Sequence, residues 1–277
     1  MSAVSPRPFL PPFIRASVSS ASMTWKIVVA LFPVAGICVY VFGLKALTVL
    51  ALSVLSAVVS EAVWHGAVKK KIPLKDGNAV LTGLLAALLL PASAPWWIPA
   101  LAGVFAVSVG REMFGGTGHY VFQPALLAKI FLLTFFPQAV AGWLLPMQIR
   151  WAALLLNSAI FTAGFFLIRA RIIPPRLPFY YLATVLAVSL ALGRDALCDM
   201  LVGKTTLMAF FYVPDFSCAP ATEKGRIYFS VSSALLGSVL RFVCGLPDGE
   251  AYGILLINAV TPVFDRYIRP RFLGERT

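Results

Sequence analysis

Apolar residues fall in ten runs along the chain, at 25–43, 46–66, 78–91, 97–110, 124–143, 151–168, 179–193, 204–213, 227–243 and 251–264. Short clusters of charge, glycine and proline separate them. Most runs approach the roughly 20 apolar residues that a helix needs to cross a bilayer, which predicts transmembrane helices joined by short turns. Two runs are too short to cross. Residues 78–91 run into Pro91-Ala-Ser-Ala-Pro95, and residues 204–213 run into Pro214-Asp-Phe-Ser-Cys-Ala-Pro220. Lipid cannot satisfy backbone that leaves a helix at membrane depth, so such a segment lines a cavity or is buried in protein. The two short runs stand third and eighth. Five runs separate equivalent places, an odd number, so the halves are inverted relative to each other, and paired broken segments of this kind point to a site near the midplane. The pattern predicts an all-α integral membrane protein of about ten transmembrane helices in two inverted five-helix repeats with broken or half helices. Its expected divisions are a cytoplasmic segment 1–24, a first repeat 25–143, a second repeat 144–264 and a basic cytoplasmic tail 265–277.

Composition agrees with a lipid medium. Of the 277 residues 60% are hydrophobic and 12% charged, against about 25% charged in soluble domains. The net charge of +12 would suit nucleic acid, but the basic residues alternate with apolar spans and leave no basic face over. With the amino terminus inside, the inner turns collect Lys69, Lys70, Lys71 and Lys75, then Arg111, then Arg169, Arg171 and Arg176, then Lys224 and Arg226, then Arg266, Arg269, Arg271 and Arg276. The outer turns keep Lys45, Arg150, Arg194, Lys204 and Arg241. This is the positive-inside pattern, and it predicts a multi-pass protein of the bacterial inner (cytoplasmic) membrane with both termini cytoplasmic. The first 24 residues hold no apolar core before a small-residue cleavage site, so no cleaved signal is expected. Cys38, Cys198, Cys218 and Cys244 form no CxxC pair and read as small buried hydrophobes.

Ionisable groups within spans are costly and usually functional. Glu61 is the clearest, either as a proton or cation relay with His65 one turn on, or as an interfacial carboxylate reaching Lys69–Lys71. Lys129 could neutralise an anionic group or extend to the interface. Asn78, Thr82, Asp215 and Ser217 flank the broken segments and are candidates for a polar ion path. The segment from Gly110 to Ala125 holds Gly115, Gly116 and Gly118, which allow positive φ and close backbone approach. Tyr120 and Gln123 follow, with Pro124 at a helix start where N–H groups face outward. This is a ligand-binding turn or simply a tight one. Two histidines, His65 and His119, are too few for a pair of haems, no catalytic motif is present, and no metal site is expected.

Four blocks, at 76–97 (DGNAVLTGLLAALLLPASAPWW), 110–137 (GREMFGGTGHYVFQPALLAKIFLLTFFP), 210–229 (FFYVPDFSCAPATEKGRIYF) and 247–271 (PDGEAYGILLINAVTPVFDRYIRPR), resemble the D subunit of the Rnf electron-transport complex. They also resemble the B subunit of the sodium-pumping NADH:quinone oxidoreductase. The resemblance implies ten helices in two inverted halves, flavin held in the membrane, and a redox-driven, ion-translocating complex with other membrane and peripheral subunits. Members with covalent FMN attach it to the last threonine of an S/T-G-A-T motif, absent here; Thr205 and Thr206 lack its context. Where the family has two asparagines associated with noncovalent riboflavin, this chain has Tyr120 and Gln123. The resemblance therefore implies noncovalent riboflavin or FMN, bound if at all around Gly115, Gly116, Gly118, Tyr120, Gln123 and Pro124, in a translocase component not catalytic alone. The alternatives are a cofactor-free channel or transporter on the same scaffold, and a structural anchor for other subunits.

Overall fold

A computed structural model describes residues 19–68, 76–140, 150–195, 199–200, 204–246 and 248–268. Helix α1, Ser20–Phe42, ends at Gly43, whose φ of 68° reverses the chain directly into α2, Leu44–Ala67. Helix α3, Asn78–Leu88, starts after Gly77 and lasts only 11 residues before the prolines at 91 and 95 end it. Helix α4, Trp97–Ser108, continues into a 3₁₀ turn Glu112–Phe114. Then come α5, Pro124–Phe135, and the single turn α6, Pro137–Val140. The second half repeats the plan with α7, Arg150–Arg169, and α8, Arg176–Ala191. A second broken segment follows, α9 at Thr205–Leu207 passing into a π-helical turn Met208–Tyr212. Helices α10, Glu223–Phe242, and α11, Gly249–Tyr267, complete the bundle.

Packing repeats as well. Helix α2 lies on α4 in the first half as α8 lies on α10 in the second, and α1 packs on α7 across the join. Small residues let backbones approach, since in lipid close packing takes over the role that water-driven burial plays in soluble cores. A Cβ on Gly83 would stand 2.8 Å from Val54 Cα, and one on Gly103 would collide with Ser53 and Ser56, so α3 and α4 both seat against the Ser53–Ala57 face of α2. Gly237 and Gly253 face each other backbone to backbone where α10 meets α11.

Large apolar side chains ring the outside: Phe32 on α1, Val59 on α2, Phe165 on α7 and Phe179 on α8 are each more than half exposed to the surroundings. A soluble monomer does not leave such a belt uncovered. Among the described residues four stretches, Ser20–Phe42, Leu44–Ala67, Trp97–Phe114 and Trp151–Arg169, are long and apolar enough to cross a membrane, and shorter apolar helices stand at Asn78–Leu88, Pro124–Phe135 and Arg176–Ala191. The protein is a multi-pass, all-α membrane protein.

The fifth run departs from expectation. Instead of one helix over 124–143, the chain breaks at Phe136, with φ −133° and ψ 55°. Pro137 disfavours helical geometry in the residue before it and cannot continue the hydrogen-bond ladder. Residues 141–143 of that run, the lysines at 69–71 and 75, Cys198, and both chain ends lie outside the described residues.

Candidate functional site in the broken-helix core

The first broken helix and the second frame a cavity of about 450 Å3. It lies between α1, the start of α3, the turn Thr117–Tyr120 and the irregular strip that follows the π-helical turn. Asn78, Gly118, Tyr120, Asp215 and Ser217 all line it, together with the rings of Phe210 and Phe211. Tyr120 Oη donates to Asp215 Oδ1 at 3.1 Å, and the Ser217 N–H donates to the same oxygen at 3.0 Å. On the facing side Thr24 donates to Asn78 Oδ1 at 3.1 Å, and Asn78 Nδ2 reaches Thr117 at 3.5 Å.

Other expected site residues lie elsewhere. Thr82 sits one turn along α3, bonded to Asn78 O at 2.8 Å, and does not line the cavity. Gly115 and Gly116, with φ of 108° and 93°, serve left-handed turns outside the cavity lining, whereas Gly118, with φ 91°, stands at the cavity. Gln123 is buried, and its Oε1 accepts from the Leu126 N–H at 2.9 Å, capping α5 with Pro124 at the first helical position. With its amide oriented to satisfy both neighbours, Asn258 of α11 accepts from the Gln123 N–H at 3.2 Å and donates to Ile254 O.

Glu61 belongs to a second cluster. Arg111, 1% exposed at its side chain, joins Glu61 to Glu112, with its Nε 3.0 Å and Nη2 2.9 Å from Glu112 Oε1. His65 Nε2 stands 3.6 Å from Glu112 Oε2. Arg111, read as an inner-turn charge, is thus buried in that turn, and Glu61 is paired with it inside the fold. His65 Nδ1 and Arg111 Nη1 are buried with no partner among the described residues. Ligand atoms of Glu61, His65 and Glu112 lie within 4.8 Å of one another, a spacing a cation could bridge, although the guanidinium already neutralises the two carboxylates in part.

A third cluster was not expected. Lys129 does not extend to an interface: its Nζ lies 3.0 Å from Asp248 Oδ2 and donates to Val140 O at 3.1 Å. Lys204 takes the other carboxylate oxygen at 2.6 Å. Next to it Arg241 pairs with Glu250, whose Oε1 also accepts from Thr205 at 2.6 Å. Thr205 and Thr206 are buried and engaged, Thr206 with Asn157. Lys204 and Arg241, read as outer-turn charges, are engaged in ion pairs within the fold.

The family model for the NQR2, RnfD, RnfE family matches residues 10–159 and 150–274. The chain belongs to this family. The D subunit of the Na(+)-translocating ferredoxin:NAD(+) oxidoreductase complex of Acetobacterium woodii is 35% identical over 95% of this chain and 93% of its own length. Its counterpart in the ion-translocating oxidoreductase complex of Methanosarcina acetivorans is 33% identical over 95% of this chain and 96% of its own. The corresponding component of the proton-translocating ferredoxin:NAD(+) oxidoreductase complex of Clostridium ljungdahlii is 29% identical over 96% and 95%. Within this NQR2, RnfD, RnfE member, the three clusters above gather most of the buried charge among the described residues.

Proposed function

We propose that this chain is the membrane component of a redox-driven, ion-translocating oxidoreductase complex. The observation that carries the reading is end-to-end similarity to the matching components of such complexes. Its partners are the bilayer and the other membrane and peripheral subunits, which deliver and remove electrons. The membrane is the bacterial inner membrane and both termini are cytoplasmic, a reading supported by the distribution of Lys and Arg.

Flavin, bound noncovalently, is assigned to the cavity of about 450 Å3, a size within the range of ligand sites. The donor set suits it: Asn78 offers an amide, Asp215 an acceptor, Tyr120 and Thr117 hydroxyls, and Phe210 and Phe211 aromatic surface. A bound flavin would supply one- and two-electron transfer there. The chain's own residues hold and orient it: Tyr120 and Ser217 fix the Asp215 carboxylate, and Thr24 fixes the Asn78 amide. Glu61, with Arg111, Glu112 and His65, forms the inner part of the ion path, a reading supported by the concentration of buried charge there. The relatives named for sodium and for protons are of one type, so the shared scaffold does not fix the ion.

Flavin content of the detergent-purified protein tests the cofactor. Acid-extractable flavin at near one per chain, lost with Tyr120→Phe combined with Asp215→Asn, is expected. Flavin in neither the extractable nor the gel-retained fraction of the intact complex sinks the cofactor and favours a cofactor-free path.

A further inference from the structure

The Lys129–Asp248–Lys204 cluster carries one more positive charge than negative. Its side chains are 1%, 12% and 9% exposed. Other charges on the flanking elements are paired or exposed: Arg241 lies with Glu250, Arg194 with Asp199, and Asp195 is exposed. Tyr181, on α8 beside the Arg241–Glu250 pair, adds a phenol and no charge. The elements around Lys129 therefore present no second carboxylate to it among the described residues.

The backbone around Asp248 is arranged for these lysines. Asp248 takes a left-handed conformation, φ 59° and ψ 30°, at the N-terminus of α11. An aspartate there ordinarily caps the helix by accepting from the first free N–H groups. Here its side chain makes no cap bond, and both oxygens go to the ammoniums instead. Lys204 also reaches Leu89 O at 3.5 Å, at the end of the first broken helix. It thereby ties the two discontinuous segments to the same carboxylate.

A surplus charge in a low-dielectric interior is relieved when one group gives up its charge. Asp248 and Lys204 together form a neutral pair, which leaves Lys129 as the group whose charge is in excess. We propose that Lys129 is a proton-exchange residue of the membrane-embedded ion path, loading and releasing one proton against the fixed Lys204–Asp248 pair. The step is Lys129–NH3+ giving Lys129–NH2 and H+, with the proton passed to water on one side and regained from water on the other. No other bond changes and no electron moves. This rests on the ion-translocating reading above, and it names the ion and a second station beyond Glu61.

The test uses the whole complex in proteoliposomes, comparing wild type with Lys129→Met and Lys129→Arg. Redox-driven acidification, electron-transfer rate in the presence of an uncoupler, and melting temperature are read for each. Neither substitute titrates, so acidification should fall about a hundred-fold or more in both, the lower end of what a positioned proton-transfer group contributes. Electron transfer with uncoupler should persist. Lys129→Met should melt at or above the wild-type temperature, because it removes the surplus charge and leaves a neutral pair. Wild-type acidification by Lys129→Arg overturns the proposal in favour of a static counter-ion, and wild-type acidification by both removes any role. A Lys129→Met protein that fails to fold overturns it too, since no surplus charge would then have been relieved. Wild type that takes up sodium but no protons sinks the proton assignment alone. Wild type that moves neither ion with electron flow sinks the translocating reading itself.

Discussion

Replacing Arg111 by methionine keeps much of the side-chain volume and removes the only cation between Glu61 and Glu112 among the described residues, His65 apart. In the folded protein that guanidinium makes two contacts with Glu112, at 2.9 and 3.0 Å, and one with Glu61, with its side chain 1% exposed. Loss of one partner of a buried ion pair costs about 3–5 kcal/mol, because an uncompensated charge stays in the interior. Two carboxylates are stranded here, so the upper half of that range is expected near neutral pH. At about 2–4 °C per kcal/mol for a chain of this size the melting temperature should fall by roughly 8–20 °C. Glu61→Gln is the control. It leaves the Arg111–Glu112 pair intact and forfeits one charge-assisted bond, worth about 1.5–3 kcal/mol. Because the two residues touch, the double variant should cost less than the sum of the singles by about 0.5–3 kcal/mol. The assay is fluorescence-detected size exclusion of detergent-solubilised protein after a heat step, near pH 7. An Arg111→Met protein that melts within about 2 °C of wild type, or strict additivity in the double variant, would refute the internal pairing of Glu61.

Gln123→Ala should cost about 0.5–2 kcal/mol through loss of the α5 cap while leaving flavin content unchanged; loss of flavin at wild-type stability would instead put Gln123 at the cofactor. Gly253→Ala should destabilise by about 1–3 kcal/mol, because the added methyl meets the Gly237 backbone, and an unchanged heat-step midpoint would contradict that crossing. Asp248→Asn should cost about 3–5 kcal/mol near neutral pH, because two buried ammoniums are then left without their shared carboxylate. A heat-step midpoint unchanged from wild type would show that the carboxylate is not what holds them.

Much of the architecture is legible in the one-dimensional pattern because membrane helices must satisfy their own backbones. Runs cut short at Pro91 and Pro214 could only be broken segments, and the structure has them at α3 and at α9 with its π-helical turn. Proximity of those segments to the glycine-rich turn also brought Asn78, Gly118, Tyr120, Asp215 and Ser217 to one cavity. The break at Phe136 was not legible from apolarity, since the run stays apolar on both sides of Pro137. Nor were the charge clusters. Arg111 and Glu61 are 50 positions apart and Lys204 and Asp248 are 44 apart, and a linear count assigns Arg111 and Lys204 to turns. The available signal was the oddity of charges bordering short apolar helices, where no full turn separates them from the membrane interior. Gln123 illustrates a different limit: one amide suits a ligand or a helix cap equally in the sequence, and only the fold shows its Oε1 accepting from the Leu126 N–H.

The most direct test of the translocating role is redox-driven ion uptake by inverted membrane vesicles from cells lacking this chain, with and without its gene restored. Both sodium and proton uptake are followed at matched electron input. Uptake should collapse without the chain and return with it, while soluble electron-donor reactions continue. Uptake at the parental rate in vesicles that contain none of this chain would contradict that role.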